Sequence, residues 1–308
     1  MIKMRWVVTG LAVALIAGVF VLGCGSETHV DGDTPGGSFS IQGSDTMVNL
    51  GQALAEHYMY EVNARAALSV TGGGSGTGIA ALINDNVDIA QSSRAMRQQE
   101  IDNAAANNVE VYEFIVGQDG IALAVHQSNP IERVTAAQLK DIFTGRITNW
   151  ADLGWSEGGN ISVYSRQSNS GTYVFFNELI MDGEDWADGT RFMPGSSAIA
   201  EALTTDRQGI GYFGVGYVRT PGNRVLELAQ SEEGPYISSL ESEKVNSGEY
   251  LLARPLYFYT NGVPTGLVRH YLDWVLSDEG QNVIMSTGFY RVTPEYEEHN
   301  RRILGGLQ

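Results

Sequence analysis

Three times in this chain, a β-like run ends in a turn rich in Gly, Ser and Thr, and apolar residues at helical spacing follow the turn. The three turns occupy residues 43–46, 72–78 and 166–172. Strands that alternate with helices in this way are typical of the α/β class. The pattern therefore predicts an α/β fold, with a sheet that we expect to be largely parallel.

The rest of the chain continues this alternation. Further apolar periodicity predicts strands near 87–90, 109–116, 121–125, 209–218 and 256–259, and helices near 136–143 and 268–276. The segment Gly-Gln-Asp-Gly at 117–120 separates two β-rich runs. It therefore predicts a break between two strands and a candidate hinge.

Composition excludes several functional classes. The 308 residues carry a formal charge of −17, whereas a nucleic-acid partner requires a basic surface. The single Cys cannot form a disulfide within the chain or a Cys-based zinc cluster, and the five His show no metal-ligand spacing. We therefore expect no nucleic-acid partner and no metal or other cofactor.

The N-terminus has the pattern of an export signal. Lys3 and Arg5 precede an apolar run at 6–22. The run ends in Val-Leu-Gly-Cys, which resembles the lipobox of bacterial lipoproteins and implies cleavage after residue 23 and lipidation of Cys24. A plain transmembrane anchor is the alternative. Residues 24–37 are rich in Gly, Asp, Ser and Thr and predict a flexible tether. We expect an exported protein, lipid-anchored at the cell membrane on its periplasmic or outer face.

The three turns have the chemistry of an anion site. Each places Ser or Thr hydroxyls and unpaired backbone N–H groups at a helix N-terminus, where the helix dipole favours negative charge. Arg166 adds a planar guanidinium that can bind two oxygens at once. Each turn alone could be an ordinary helix cap or loop, but the recurrence favours a shared oxyanion site. The second turn is neither a Walker loop, since no Lys follows Gly76, nor a nucleophile elbow, since Thr77 stands where Gly is needed.

From about residue 39 to 292, the sequence resembles the phosphate-binding proteins of the bacterial high-affinity phosphate ABC transporter, the PstS family. The stretches that carry the resemblance include GSDTM at 43–47, VTGGGSGTGIAALI at 70–83, DIAQSSR at 88–94, LKDIFTGRITNWADLG at 139–154, SRQSNSGTYVFF at 165–176, RPLYFYTNG at 254–262 and SDEGQNVIMSTGFYRV at 277–292.

The resemblance implies a two-lobed, periplasmic-binding-protein-like (type II) fold with a ligand cleft between the lobes. We expect lobe one at 38–118 and 255–308, lobe two at 119–254, and hinge crossings near 117–120 and 252–255. It further implies a monomeric solute-binding protein, not an enzyme, that captures inorganic phosphate and delivers it to an ABC permease.

The resemblance also implies the phosphate-binding residues. They are Ser44, Asp45 and Thr46 in the first turn, Gly74 and Ser75 in the second, Ser92 and Ser93 after the third strand, and Arg166, Ser170, Gly171 and Thr172 in the third turn. Some family members have an Asp that accepts the phosphate proton at the position that Ser93 occupies here.

The acceptor of that proton is therefore open in this chain. We hypothesise that it is Asp45, which could instead be an ordinary helix N-cap. Asp88 and Asp119 are further candidates, and Asp119 could equally hold the hinge. Arg94 is expected in the cleft or as a partner of Asp45 or Asp88.

Three other functions stay open. The same scaffold could bind another tetrahedral oxyanion, such as sulfate or molybdate, or could serve as a phosphate sensor without a transporter. A phosphatase that uses one of the Ser residues would need a base or metals at the site, and the sequence gives no sign of either.

Overall fold

The computed structural model describes residues 34–305. The predicted signal segment, the lipidation residue Cys24 and most of the predicted tether lie outside these residues. Within the described part, no helix is both long enough and apolar enough to cross a membrane.

Strands and helices alternate over most of the described chain. The strands are β1 Gly37–Gly43, β2 Ala66–Thr71, β3 Ile89–Ser92, β4 Val111–His126, β5 Arg133–Thr135, β6 Ser162–Arg166, β7 Arg191–Met193, β8 Gly209–Gly214, β9 Asn223–Ala229 and β10 Ala253–Asn261. The helices are α1 Val48–His57, α2 Ser75–Ile83, α3 Gln98–Ala106, α4 Ala136–Phe143, α5 Gly171–Leu179, α6 Ser196–Leu203, α7 Ser242–Asn246, α8 Gly266–Val275, α9 Asp278–Ser286 and α10 Pro294–Gly305.

The strands form one curved sheet whose main path runs β2-β1-β3-β10-β4-β8-β6-β7. Strand β1 is parallel to β2 and β3, and β6 is parallel to β7 and β8. However, β10 is antiparallel to β3 and β4, and β4 is antiparallel to β8 and β9. The sheet is therefore mixed: the prediction of a largely parallel sheet holds for the pairings among the other strands, including β5 with β9, and is wrong at β4 and β10, which run antiparallel to every strand they pair with.

Strand β4 runs through the predicted hinge crossing at 117–120, and β10 begins within the predicted crossing at 252–255. The first part of β4, up to Gly120, pairs with β10, whereas Ile121 to His126 pairs with β8 and β9. The predicted break at 117–120 is wrong, because β4 continues through it. The glycines serve close packing: a Cβ on Gly120 would lie 2.9 Å from a methyl of Val245. The exact residue boundaries of the lobes stay a prediction.

Apolar residues on both sides of these crossing strands form the core. One cluster contains Phe39, Leu50, Phe114 and Phe258, and it continues into Phe213 of β8. A second cluster lies between the other face of the sheet and helices α4 and α5; it includes Ile121, Phe143, Trp150 and Phe176. Because the first cluster includes residues from both parts of β4, the core is continuous along the sheet.

Candidate anion-binding site

The structure brings the three Gly-, Ser- and Thr-rich turns to one buried place. The first lies between β1 and α1, the second between β2 and α2, and the third between β6 and α5. Across the first and third turns, the Oγ1 atoms of Thr46 and Thr172 are 2.7 Å apart. The Ser93 hydroxyl lies 2.9 Å from that of Ser44 and 3.4 Å from that of Ser75. All five residues are buried.

Glycine permits this close approach at two positions. Gly74 has a φ of +93°, and a Cβ there would lie 2.6 Å from the carbonyl oxygen of Asn169. A Cβ on Gly171 would lie 2.4 Å from Ser75 Oγ and 2.9 Å from Ser93 Oγ. Since heavy atoms do not approach this closely without bonding, any larger residue would push the second and third turns apart.

Arg166, the last residue of β6, is fully buried within this cluster. One terminal nitrogen donates to Thr46 Oγ1 at 3.3 Å and to Ser196 Oγ at 3.1 Å, and the other donates to Asp45 Oδ2 at 3.3 Å and to the Pro194 carbonyl at 3.0 Å. Its Nε has no partner among residues 34–305. Burial lowers the pKa of the Arg166 guanidinium, and the charge of Asp45 opposes that shift.

Asp45 joins the first turn to the other two. Its Oδ1 accepts a hydrogen bond from the Gly73 N–H at 2.8 Å, while Oδ2 pairs with Arg166. The N-cap position of α1 belongs to Met47, so the interpretation of Asp45 as the cap of that helix is wrong. The carboxylate is the bridge between Arg166 and the second turn, and its role as acceptor of a ligand proton stays a prediction.

Several predicted residues make contacts outside the cluster. Asp88 accepts from the N–H and hydroxyl of Ser40, at 2.8 and 3.1 Å, at the middle of β1. Arg94 forms a two-point pair with Glu100, both bonds at 2.7 Å, so the prediction that it balances Asp45 or Asp88 is wrong.

Two predicted ligand residues have local hydrogen-bonding roles. The Ser92 hydroxyl donates to the backbone carbonyl of Arg94 at 2.7 Å. Ser170 caps α5, because its Oγ accepts the N–H groups of Thr172 and Tyr173 at 3.2 and 3.4 Å. The hydroxyl of Ser92 is therefore turned to its own loop, and Ser170 consumes two of the helix N-terminal donors.

Sequence reasoning missed two residues of the cluster. Ser196 begins α6, and its hydroxyl lies 3.4 Å from Thr46 Oγ1 and 3.1 Å from Arg166. Arg254 on β10 donates to Thr172 Oγ1 at 3.0 Å. Position 254 lies in a stretch that carries the family resemblance, but nothing in the local sequence connects either residue with the three turns.

Asp119 is the partner of Arg254. The Nε and one terminal nitrogen of Arg254 donate to Asp119 Oδ2 at 3.0 and 2.7 Å, and Oδ1 accepts the Val215 N–H at 2.8 Å. Burial lowers the pKa of Arg254, and Asp119 opposes that shift. Asp119 thus joins β4 to β10, and its role at a hinge stays a prediction.

The cluster as a whole suits a small oxyanion. Two guanidiniums and two carboxylates give it a formal charge of zero, and hydroxyl groups of several Ser and Thr residues face one another between the charged groups. A buried anion needs several hydrogen-bond donors in fixed positions, which these groups can supply. Within 34–305, no group of three or more His, Cys, Asp and Glu side chains could hold a metal ion.

Comparisons with known proteins bear on the family and the fold. A family model described as "PBP superfamily domain" matches residues 29–279. The phosphate-binding protein PstS of Staphylococcus epidermidis is 28% identical over 285 residues, which cover 90% of this chain and 86% of that protein. PstS of Pseudomonas aeruginosa is 29% identical over 286 residues, 87% of each chain.

A solved structure supports the same similarity in fold and family. It is a Clostridium perfringens protein with bound phosphate, assigned as a phosphate ABC transporter substrate-binding protein. It superposes with a TM-score of 0.73 at 27% identity and covers 83% of this chain and 100% of its own. The predicted resemblance to the PstS family and the two-lobed fold are confirmed.

Proposed function

We propose, because this chain belongs to the PBP superfamily, that it is an extracytoplasmic solute-binding lipoprotein that captures inorganic phosphate and delivers it, as a monomer, to an ABC permease. One observation supports phosphate capture above all. Arg166 and the Thr172 hydroxyl of the third turn meet the Thr46 hydroxyl of the first turn at a single buried point.

These groups match the requirements of a tetrahedral oxyanion. The hydroxyls of Thr46 and Thr172 contact each other at 2.7 Å, and both can turn their protons to an oxygen placed between the turns. Arg166 provides donors on the same side. Because the site is shielded from water, each charge-assisted hydrogen bond is worth about 1.5–3 kcal/mol.

Asp45 is the proposed source of selectivity for phosphate over sulfate. Hydrogen phosphate carries a proton at neutral pH and sulfate does not, so a fixed carboxylate attracts the first and repels the second. A carboxylate has about four lone-pair sites. Asp45 uses one toward Gly73 and one toward Arg166, so it retains the capacity to accept a proton from phosphate. A polar partner that sulfate leaves unpaired can discriminate by a factor on the order of 10⁴.

Titration calorimetry of the purified protein with phosphate, sulfate and molybdate tests the proposal. We expect tight binding of phosphate and at least about 100-fold weaker binding of the other two. Comparable or tighter binding of sulfate or molybdate would assign the site to another oxyanion. A protein that ignores all three anions would rule out the proposed function.

Export and anchoring need a separate experiment. The N-terminal order of basic residues, an apolar run and Cys24 supports lipidation after cleavage. Metabolic labelling with a radioactive fatty acid should mark the wild-type protein and not a Cys24→Ser variant, which should also leave the membrane fraction. Equal labelling of both forms would contradict the assignment of Cys24.

Deletion of the partner permease should abolish phosphate uptake that depends on this protein; unchanged uptake would favour a sensor without a transporter.

A further inference from the structure

The two strands that connect the lobes carry a buried ion pair at directly opposed positions. Asp119 of β4 and Arg254 of β10 are partners in the antiparallel register, and both are almost fully buried. Two nitrogens of Arg254 donate to the same carboxylate oxygen, so the guanidinium is held in one orientation. Its position is therefore fixed by the crossing strands.

From that position Arg254 reaches the third turn. One of its terminal nitrogens donates to Thr172 Oγ1 at 3.0 Å while it also donates to Asp119. A guanidinium has no acceptor. The hydroxyl proton of Thr172 therefore cannot point to Arg254 and must turn to the other side of Oγ1, where Thr46 lies at 2.7 Å.

The first turn has the same arrangement. Thr46 Oγ1 accepts from Arg166 at 3.3 Å, so the Thr46 proton is also turned away from a guanidinium. Two threonine hydroxyls thus face each other between two arginines. With an anion oxygen between them, both hydroxyls can act as donors, which is the polarity that an unprotonated phosphate oxygen requires.

We propose that Arg254, held by Asp119, is a positioning residue that orients the Thr172 hydroxyl for donation to the bound anion. This inference rests on the proposed function, since the bound anion is taken to be phosphate. Arg254 acts through Thr172 and connects the site directly to the strands that cross between the lobes.

A double-mutant cycle on phosphate affinity tests this role. Arg254→Met removes the donor, and Thr172→Val removes the hydroxyl with little change in shape. We expect Arg254→Met to weaken phosphate binding by at least about 10-fold in the wild-type background and by less than about 2-fold in the Thr172→Val background. Equal weakening in both backgrounds would overturn the proposal, because a residue with only a structural role does not depend on that hydroxyl.

Two further variants protect the test from misfolding. Arg254→Met leaves Asp119 buried without its cation, so the charge-balanced variant Asp119→Asn/Arg254→Met is measured beside it, with thermal melting as the fold control. Arg254→Lys retains a charged donor and should recover most of the affinity that Arg254→Met loses. A lysine variant no better than the methionine variant would contradict the inference, even where Thr172→Val binds too weakly to measure. Absence of phosphate binding by the wild-type protein would instead refute the proposed function.

Discussion

One added methyl group at Gly171 should separate ligand binding from folding. Gly171 is the first residue of α5, and its φ lies outside the left-handed region, so alanine fits the backbone there. In the closed arrangement, however, the new Cβ would lie 2.4 Å from Ser75 Oγ and 2.9 Å from Ser93 Oγ. Ser75 lies in the second turn and Ser93 in the loop after β3, both within the predicted lobe one, so a methyl group on the third turn should prevent these segments from meeting.

The size of the effect follows from the two contacts. Ser75 Oγ cannot move freely, because it accepts the Ser93 N–H at 3.1 Å. Overpacking of a tight contact costs about 1–3 kcal/mol. A central value of about 2 kcal/mol corresponds to roughly 30-fold weaker phosphate binding. The proposed function expects the lobes to separate in the absence of ligand. The replacement of Gly by Ala near a helix start should then leave the unfolding free energy unchanged or slightly higher.

Thermal unfolding with and without phosphate measures the effect on ligand binding and the effect on fold stability in one experiment. At a phosphate concentration 1,000 times its dissociation constant, the wild-type protein should gain about 4.1 kcal/mol, and Gly171→Ala about 2.1 kcal/mol at the same concentration. Gly195→Ala is the matched control, because its Cβ would meet Ser197 and Asp45 only at 3.7 and 3.9 Å. The reasoning would be refuted if phosphate raised the unfolding free energy of Gly171→Ala as much as that of the wild type. It would also be refuted if Gly171→Ala failed to fold without phosphate.

Three further predictions concern charged groups. Arg166→Ala should weaken phosphate binding by at least about 2 kcal/mol, because it removes buried charge-assisted bonds and leaves Asp45 unpaired; calorimetry with less than a 3-fold change would contradict this. Asp45→Asn should reduce the phosphate-to-sulfate affinity ratio by about 100-fold or more, and an unchanged ratio would show that another group accepts the proton. Glu100 is half-buried; burial raises its pKa, but the two-point pair with Arg94, together with the N–H and charge of Arg97, outweighs burial and lowers the pKa. A lowered pKa stabilises the fold above the unfolded value of about 4.3, and this contribution disappears as pH falls through the folded value. Glu100→Gln should therefore cost about 1 kcal/mol at pH 7, and the difference from wild type in denaturant unfolding should narrow below about pH 4; a constant difference would argue against the pair.

Local pattern was enough to locate the elements that hold the candidate site. The Gly-Ser-Asp-Thr turn stands between β1 and α1, and the glycine-rich turn between β2 and α2, as the sequence predicts. Such turns are recognisable because hydroxyls, glycines and helical spacing lie close together in the chain. The recurrence of these turns favoured a shared site, and the resemblance added that the site lies in a cleft between two lobes.

Contacts between strands that are far apart in the chain could not be predicted from the sequence. Arg254 and Asp119 are 135 residues apart and meet only because β10 and β4 are antiparallel neighbours. The continuity of β4 through 117–120 has the same cause. Glycines usually interrupt a strand, but here they leave room for Val245 and Tyr290 against the sheet. Sheet order decides both features, and no local signal contains it.

The acidic composition of the chain and its buried anion site are compatible because they act over different distances. Charges on the surface are screened within about 8 Å at physiological salt, so a total of −17 acts mainly on the approach of an anion. At the site, Arg166 and Arg254 are balanced by Asp45 and Asp119, so the binding free energy cannot come from net charge. The binding free energy must come from donors already held in place, such as the hydroxyls of Thr46 and Thr172. Once the lobes are closed, water and salt cannot screen these donors.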